Sequence, residues 1–108
     1  MPRNIHVKDY DTIAVSSSAG TLVSLGGLSA TPDGARSFQG TVETSSIRMR
    51  GDGTAPTTSE GQLLSVGSKV TVDESEFSST QFIRDGTVDG VLKGHYYNVE
   101  AIVLLGGH

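Results

Sequence analysis

The chain has 108 residues, no cysteine and a formal net charge of −4. That length supports one domain, and the missing thiols exclude disulfides, thiolate metal sites and cysteine nucleophiles. Eight Lys and Arg are too few for a phosphate-neutralising face, so nucleic acid is not an expected partner.

Membrane insertion is not expected either. The longest apolar run, Ala101 to Leu105, is too short to span a bilayer, and Met1 to Asp11 carries charges instead of a secretory apolar core. Fourteen glycines and abundant Ser and Thr lower helix propensity, and no long window follows a 3.6-residue period. The chain reads as all-β.

Ile5 and Val7 alternate with His6 and Lys8 in a first short strand. Ile13 and Val15 share one face of a second, ended by Ser16-Ser17-Ser18 and Gly20. Thr21 to Leu25 is expected as a third, stopped by Gly26-Gly27. Pro32-Asp33-Gly34 is a turn, with proline presetting φ and glycine accepting a positive one. A longer strand runs from Phe38 to Arg50, with a bulge or bend expected near Ser45-Ser46. In its second half Ile47 and Met49 face one way, Arg48 and Arg50 the other.

Asp52-Gly53 then opens a polar loop in which Pro56 has no N–H for a sheet ladder. Leu63, Leu64 and Val66 lead to Gly67, and Val70 and Val72 alternate with Lys69 and Thr71. Asp73 to Ser79 is a polar corner anchored by Phe77. Thr80 to Arg84 and Val91 to Tyr97 are further strands, bounded by Asp85-Gly86 and Asp89-Gly90. Val99 to Leu105 is the last. The spacing predicts a single antiparallel β-sandwich or jelly-roll-like barrel over residues 1–108, with about seven to nine short strands. Asp-Gly pairs at 33, 52, 85 and 89 point to hairpins as the connections.

The terminal segment is apolar on both faces: Ala101, Val103 and Leu105 on one, Ile102 and Leu104 on the other. Such a strand is either central in its sheet or covered by another chain. Residues 98–108 are therefore a candidate oligomerisation or partner-binding strand.

No constellation points to catalysis. Arg50-Gly51-Asp52 is the adhesion tripeptide, but it also reads as a strand end followed by a turn. Asp73, Glu74 and Glu76 lack the spacing of a calcium loop and read as solvated. His95 beside Tyr96 and Tyr97 has no nucleophile elbow to serve; Lys93, His95 and Tyr97 share one strand face, with Leu92, Gly94 and Tyr96 on the other. Gly86, Gly90 and Gly94 lack the strand-to-helix context of a phosphate cradle. There is no Trp, and only three Tyr, for a sugar platform. A structural or binding module without cofactor or metal is the expectation, not an enzyme.

Four segments carry a resemblance. They are Ile47 to Thr57 (Ile-Arg-Met-Arg-Gly-Asp-Gly-Thr-Ala-Pro-Thr), Gly61 to Gly67, Phe82-Ile83-Arg84-Asp85-Gly86, and Val91 to Tyr97. Over residues 47–97 the chain resembles small β-rich virion proteins encoded among the structural genes of tailed bacteriophages and prophages. The resemblance implies a β-sandwich or jelly-roll-like fold, synthesis in the bacterial host cytoplasm and a place in the virion. It implies no catalytic residues. The chain departs from that group at its end, where Asn98 to His108 extends past the aromatic pair.

Within a virion, the small size, acidic balance and doubly apolar end suit a capsid decoration (cement) protein. Its expected partner is the major capsid protein or another virion protein, bound by a homodimer or homotrimer. The expected contact residues are Pro2, Arg3, Asn4 and Ile5, with Ile102, Val103, Leu104 and Leu105. The alternatives are a head–tail or tail-tip accessory protein and, in a different class, a host-surface carbohydrate-binding module.

Overall fold

Period-two alternation produces two antiparallel sheets. The structure, a computed structural model, describes residues 5–26, 28 and 30–100. Its strands are β1 (Val7–Val15), β2 (Ser37–Glu43), β3 (Ile47–Arg50), β4 (Gln62–Leu64), β5 (Lys69–Asp73), β6 (Gln81–Arg84) and β7 (Gly90–Tyr97). One sheet has the order β1-β7-β2-β5 and the other β4-β3-β6. The expected all-β antiparallel class is therefore what the chain adopts.

The inward positions of both sheets meet in one core. Ile13 and Val15 of β1, Phe38 and Val42 of β2, Val70 and Val72 of β5, and Leu92 and Tyr96 of β7 come from the larger sheet. Ile47, Leu64 and Phe82 come from the smaller. Burying each large side chain stabilises the fold by roughly 1.5–3 kcal/mol relative to exposure. Phe38 and Phe77 both meet the Tyr96 ring edge-on, at 5.0 and 5.8 Å. Phe77 is thus the anchor expected for the Asp73 to Ser79 corner, which folds as a 3-10 turn over Glu74–Glu76.

The expected break near Ser45-Ser46 is a corner between sheets. β2 ends at Glu43, Thr44 takes a φ of 73°, and β3 begins at Ile47 in the opposite sheet. A β-branched residue is strained at positive φ. Thr44→Gly should therefore raise stability by about 0.5–1 kcal/mol in urea denaturation, after the extra unfolded-state entropy of glycine is offset. A loss of stability in that variant would contradict the assignment.

Three expectations are corrected. Thr21 to Leu25 is not a strand; Leu22–Leu25 is a single helical turn, α1. Thr21 Oγ1 accepts from the Ser24 N–H at 3.3 Å, and Ser24 Oγ accepts from the Thr21 N–H at 2.7 Å. These reciprocal bonds form a capping box with serine in place of the usual acid, and the turn directs Leu22 and Leu25 to the core.

The two short strands expected before Ser16 are one strand, β1. It continues through Tyr10-Asp11 with a register shift between Val7 and Asp9. Of the Asp-Gly pairs, Asp52-Gly53 lies in the long connection between the paired strands β3 and β4, but the others do not join paired strands. Gly34, Gly53 and Gly86 do take left-handed φ values of 79°, 85° and 73°. Yet β6 and β7, which flank Asp85-Gly86 and Asp89-Gly90, belong to different sheets. A turn residue fixes a local reversal, while packing decides which sheet the next strand joins.

Candidate binding surfaces

The first surface is the outward face of the four-stranded sheet, and strand register builds it row by row. Tyr10 pairs with His95, His95 with Gln39 and Gln39 with Thr71; one row along, Thr12 pairs with Lys93, Lys93 with Thr41 and Thr41 with Lys69. The same parity places Tyr97 beyond His95 and Glu43 beyond Thr41. The Tyr10 and His95 rings lie 4.9 Å apart, His95 and Tyr97 6.2 Å. Thr12 Oγ1 donates to Tyr10 Oη at 3.4 Å, and Lys93 Nζ lies 3.8 Å from Glu43 Oε1. All of these but Thr12 and Thr71 line a shallow depression of about 320 Å³, with Gly40 and Gly94 also in its lining.

The second surface is the β1 margin. Every residue from Ile5 to Tyr10 is exposed, with Ile5 and Val7 at 49% and 55%. β1 is the outermost strand of its sheet, paired to β7 on one side. Its start is held by His6, whose N–H donates to Asn98 Oδ1 at 2.6 Å and whose carbonyl accepts from the Asn98 N–H at 3.1 Å. From Asp11 onward the strand turns its alternate side chains inward: Asp11 is buried and lies against Gly26, followed by Ile13 and Val15.

Of the residues expected to make partner contacts, Ile5 is exposed on this margin. Pro2, Arg3, Asn4, Ile102, Val103, Leu104 and Leu105 lie outside the described residues, as does most of the expected strand from Val99 to Leu105. What precedes that segment is tied down. Val99 is fully buried, with its carbonyl accepting from Ser37 Oγ at 2.6 Å. Arg36 bridges Glu100 at 2.7 Å and Glu74 at 2.9 Å.

Three of the four resembling segments supply the three-stranded sheet. Ile47 to Thr57 holds β3, Gly61 to Gly67 holds β4, and Phe82 to Gly86 holds most of β6. Their polar residues brace it: Arg48 Nε donates to Asp85 Oδ1 at 2.8 Å and its guanidinium also donates to the Gly61 carbonyl at 3.0 Å. Arg84 donates to Asp89 at 2.7 Å. These are framework contacts.

The Arg50-Gly51-Asp52 tripeptide closes on itself. Arg50 donates two hydrogen bonds to the Asp52 carboxylate, at 3.2 and 2.5 Å. The Arg50 hydrogen bond, then that from the Thr54 N–H, hold the Asp52 carboxyl below its ordinary range. An arginine and aspartate engaged with each other are not splayed for a receptor.

Among the described residues no group of three or more His, Asp or Glu is placed to hold a metal ion, and no helix is long and apolar enough to cross a membrane. Among the described residues, fold and surfaces together define a small antiparallel β-sandwich with an open sheet face and apolar side chains exposed at the β1 edge. No protein-family model, curated protein or solved structure matches the chain.

Proposed function

We propose that this protein is a structural component of a tailed-bacteriophage virion, a capsid decoration (cement) protein that seats on the outer shell as a homo-oligomer. The observation that carries this reading is the β1 margin, where Ile5 and Val7 are exposed at the open edge of the larger sheet. The resemblance over residues 47–97 supports it, and one of its segments, Val91 to Tyr97, pairs along β1 and holds this edge. An exposed strand edge with apolar side chains gains from being covered by another chain.

The mechanism is linkage. A protein that binds the assembled lattice more tightly than free coat subunits stabilises that lattice by mass action. Binding needs no reaction and no cofactor.

The purified protein mixed with capsids assembled without it should co-sediment, in numbers comparable to the coat subunits. Paired Ile5→Asp and Val7→Asp substitutions should leave the fold intact and weaken that binding at least about tenfold, from loss of two buried apolar side chains. No co-sedimentation of the unaltered protein overturns the reading. A stoichiometry of only a few copies per particle moves it to a head–tail or tail-tip position.

A further inference from the structure

We propose that the outward face of the four-stranded sheet is a binding site for an acidic saccharide, a short oligosaccharide carrying carboxylates. The site shares Tyr10 with the β1 margin but uses neither Ile5 nor Val7, and it does not depend on a seat on a capsid.

Three properties of the face specify this ligand. The first is aromatic. Tyr10 is 47% exposed, with its ring tilted against His95 and Tyr97 beyond. The electron-rich face of such a ring attracts the polarised C–H groups on the flat side of a pyranose, and the phenol adds a hydrogen-bonding tip. Gln39 and Thr41, side by side on β2, supply an amide and a hydroxyl, which donate and accept as sugar hydroxyls require.

The second is charge. The protein is acidic overall, with a formal net charge of −4, yet its depression holds Lys69 and Lys93 against a single carboxylate, Glu43. Lys93 faces that carboxylate at 3.8 Å, whereas Lys69 makes no ion pair among the described residues. A cation with no carboxylate partner among the described residues, set in an aromatic, hydrogen-bonding groove, complements a ligand carboxylate, and a charge-assisted hydrogen bond there is worth more than a neutral one.

The third is shape. The aromatic end lies on β1 and β7 and Lys69 lies on β5, the far strand of the sheet. Four strands at the usual separation span about 14 Å, enough for several linked rings running across the strands. The depression is open and shallow, which suits a chain laid along a surface, not a small molecule enclosed in a cavity.

The test is a titration of the isotopically labelled protein with trigalacturonate, and separately with maltotriose as a neutral sugar of equal length, followed by amide chemical shifts. Trigalacturonate should shift Gln39, Thr41 and His95, and bind at least about tenfold more tightly than maltotriose. Lys69→Gln should remove about tenfold of that affinity, the value of one charged hydrogen bond. Tyr10→Ala should weaken both sugars. Lys69→Gln should leave capsid co-sedimentation unchanged, so failure of one proposal is distinguishable from failure of the other. No shifts with trigalacturonate, equal binding of the two sugars, or an unaffected Lys69→Gln variant would each overturn the assignment.

Discussion

Gly94→Ala is expected to cost about 3 kcal/mol or more, a large share of the roughly 5–10 kcal/mol that holds a domain of this size folded. Gly94 of β7 and Gly40 of β2 are direct cross-strand partners, and both point inward. The Phe38 ring occupies the space their side chains would fill. A Cβ on Gly94 would lie 2.3 Å from the Gln39 carbonyl oxygen, 2.5 Å from Gly40 Cα and 2.8 Å from the Phe38 ring. Two of those neighbours are main chain in the middle of a sheet, so relief requires β2 and β7 to separate. Overpacking a core usually costs about 1–3 kcal/mol when side chains can give way, and here the backbone must move as well. Gly51→Ala is the control: its nearest neighbour would be Thr80 Oγ1 at 3.6 Å, and it should change stability by less than about 0.5 kcal/mol. Urea denaturation of both variants reads the difference. A Gly94→Ala variant as stable as the Gly51→Ala variant would contradict the packing described for Phe38.

The second large effect is alkaline. The Tyr96 phenol is fully buried, and its oxygen has no hydrogen-bond partner among the described residues. Burial, reinforced by the nearby Asp11 and Asp9 carboxylates, pushes its pKa up from 10.0 to about 12. The folded chain therefore holds this proton more tightly than the unfolded chain does. The stability linked to it is complete below pH 10, where both states are protonated. It declines as the unfolded state ionises first, and is lost as pH rises through about 12. The decline should amount to at most roughly 3 kcal/mol. Tyr96→Phe keeps the ring contacts with Phe38 and Phe77 and removes the unbonded hydroxyl. It should gain about 1 kcal/mol at neutral pH and show a correspondingly shallower alkaline decline. Denaturation of both proteins across that range provides the measurement. An unchanged alkaline slope in Tyr96→Phe, or a loss of stability at neutral pH, would contradict it.

The alternation at Lys69–Asp73, Gln81–Arg84 and Gly90–Tyr97 was legible because each strand has one face on a core and one in water. The same parity assigned Lys93, His95 and Tyr97 to one face and Leu92, Gly94 and Tyr96 to the other. The break at Ser45-Ser46 was legible too, since adjacent small polar residues weaken a ladder. Thr21 to Leu25 was not, because its apolar residues fit a strand or a helical turn, and two reciprocal hydrogen bonds decide between them.

Sheet pairing is a non-local outcome that turn chemistry does not encode: Asp52-Gly53 lies in the long connection of the paired β3 and β4, whereas Asp85-Gly86 and Asp89-Gly90 lie between strands of different sheets. The face proposed to bind a saccharide was hidden for a related reason. Tyr10, Gln39, Thr41, Lys69, Lys93 and His95 come from four strands, and each is ordinary in its own segment. Only the register of β1, β7, β2 and β5 brings them into adjacent rows. Gly94 likewise looked like part of a fourfold glycine spacing, whereas its constraint comes from β2, far away in sequence.

The most direct test of the decoration role is the melting temperature of capsids assembled without this protein, measured before and after saturation with it. A rise that grows with added protein until the lattice sites are filled is expected, and a clearly smaller one with the paired Ile5→Asp and Val7→Asp substitutions. An unchanged melting temperature at saturating protein, or an equal rise with the substituted chain, would contradict it.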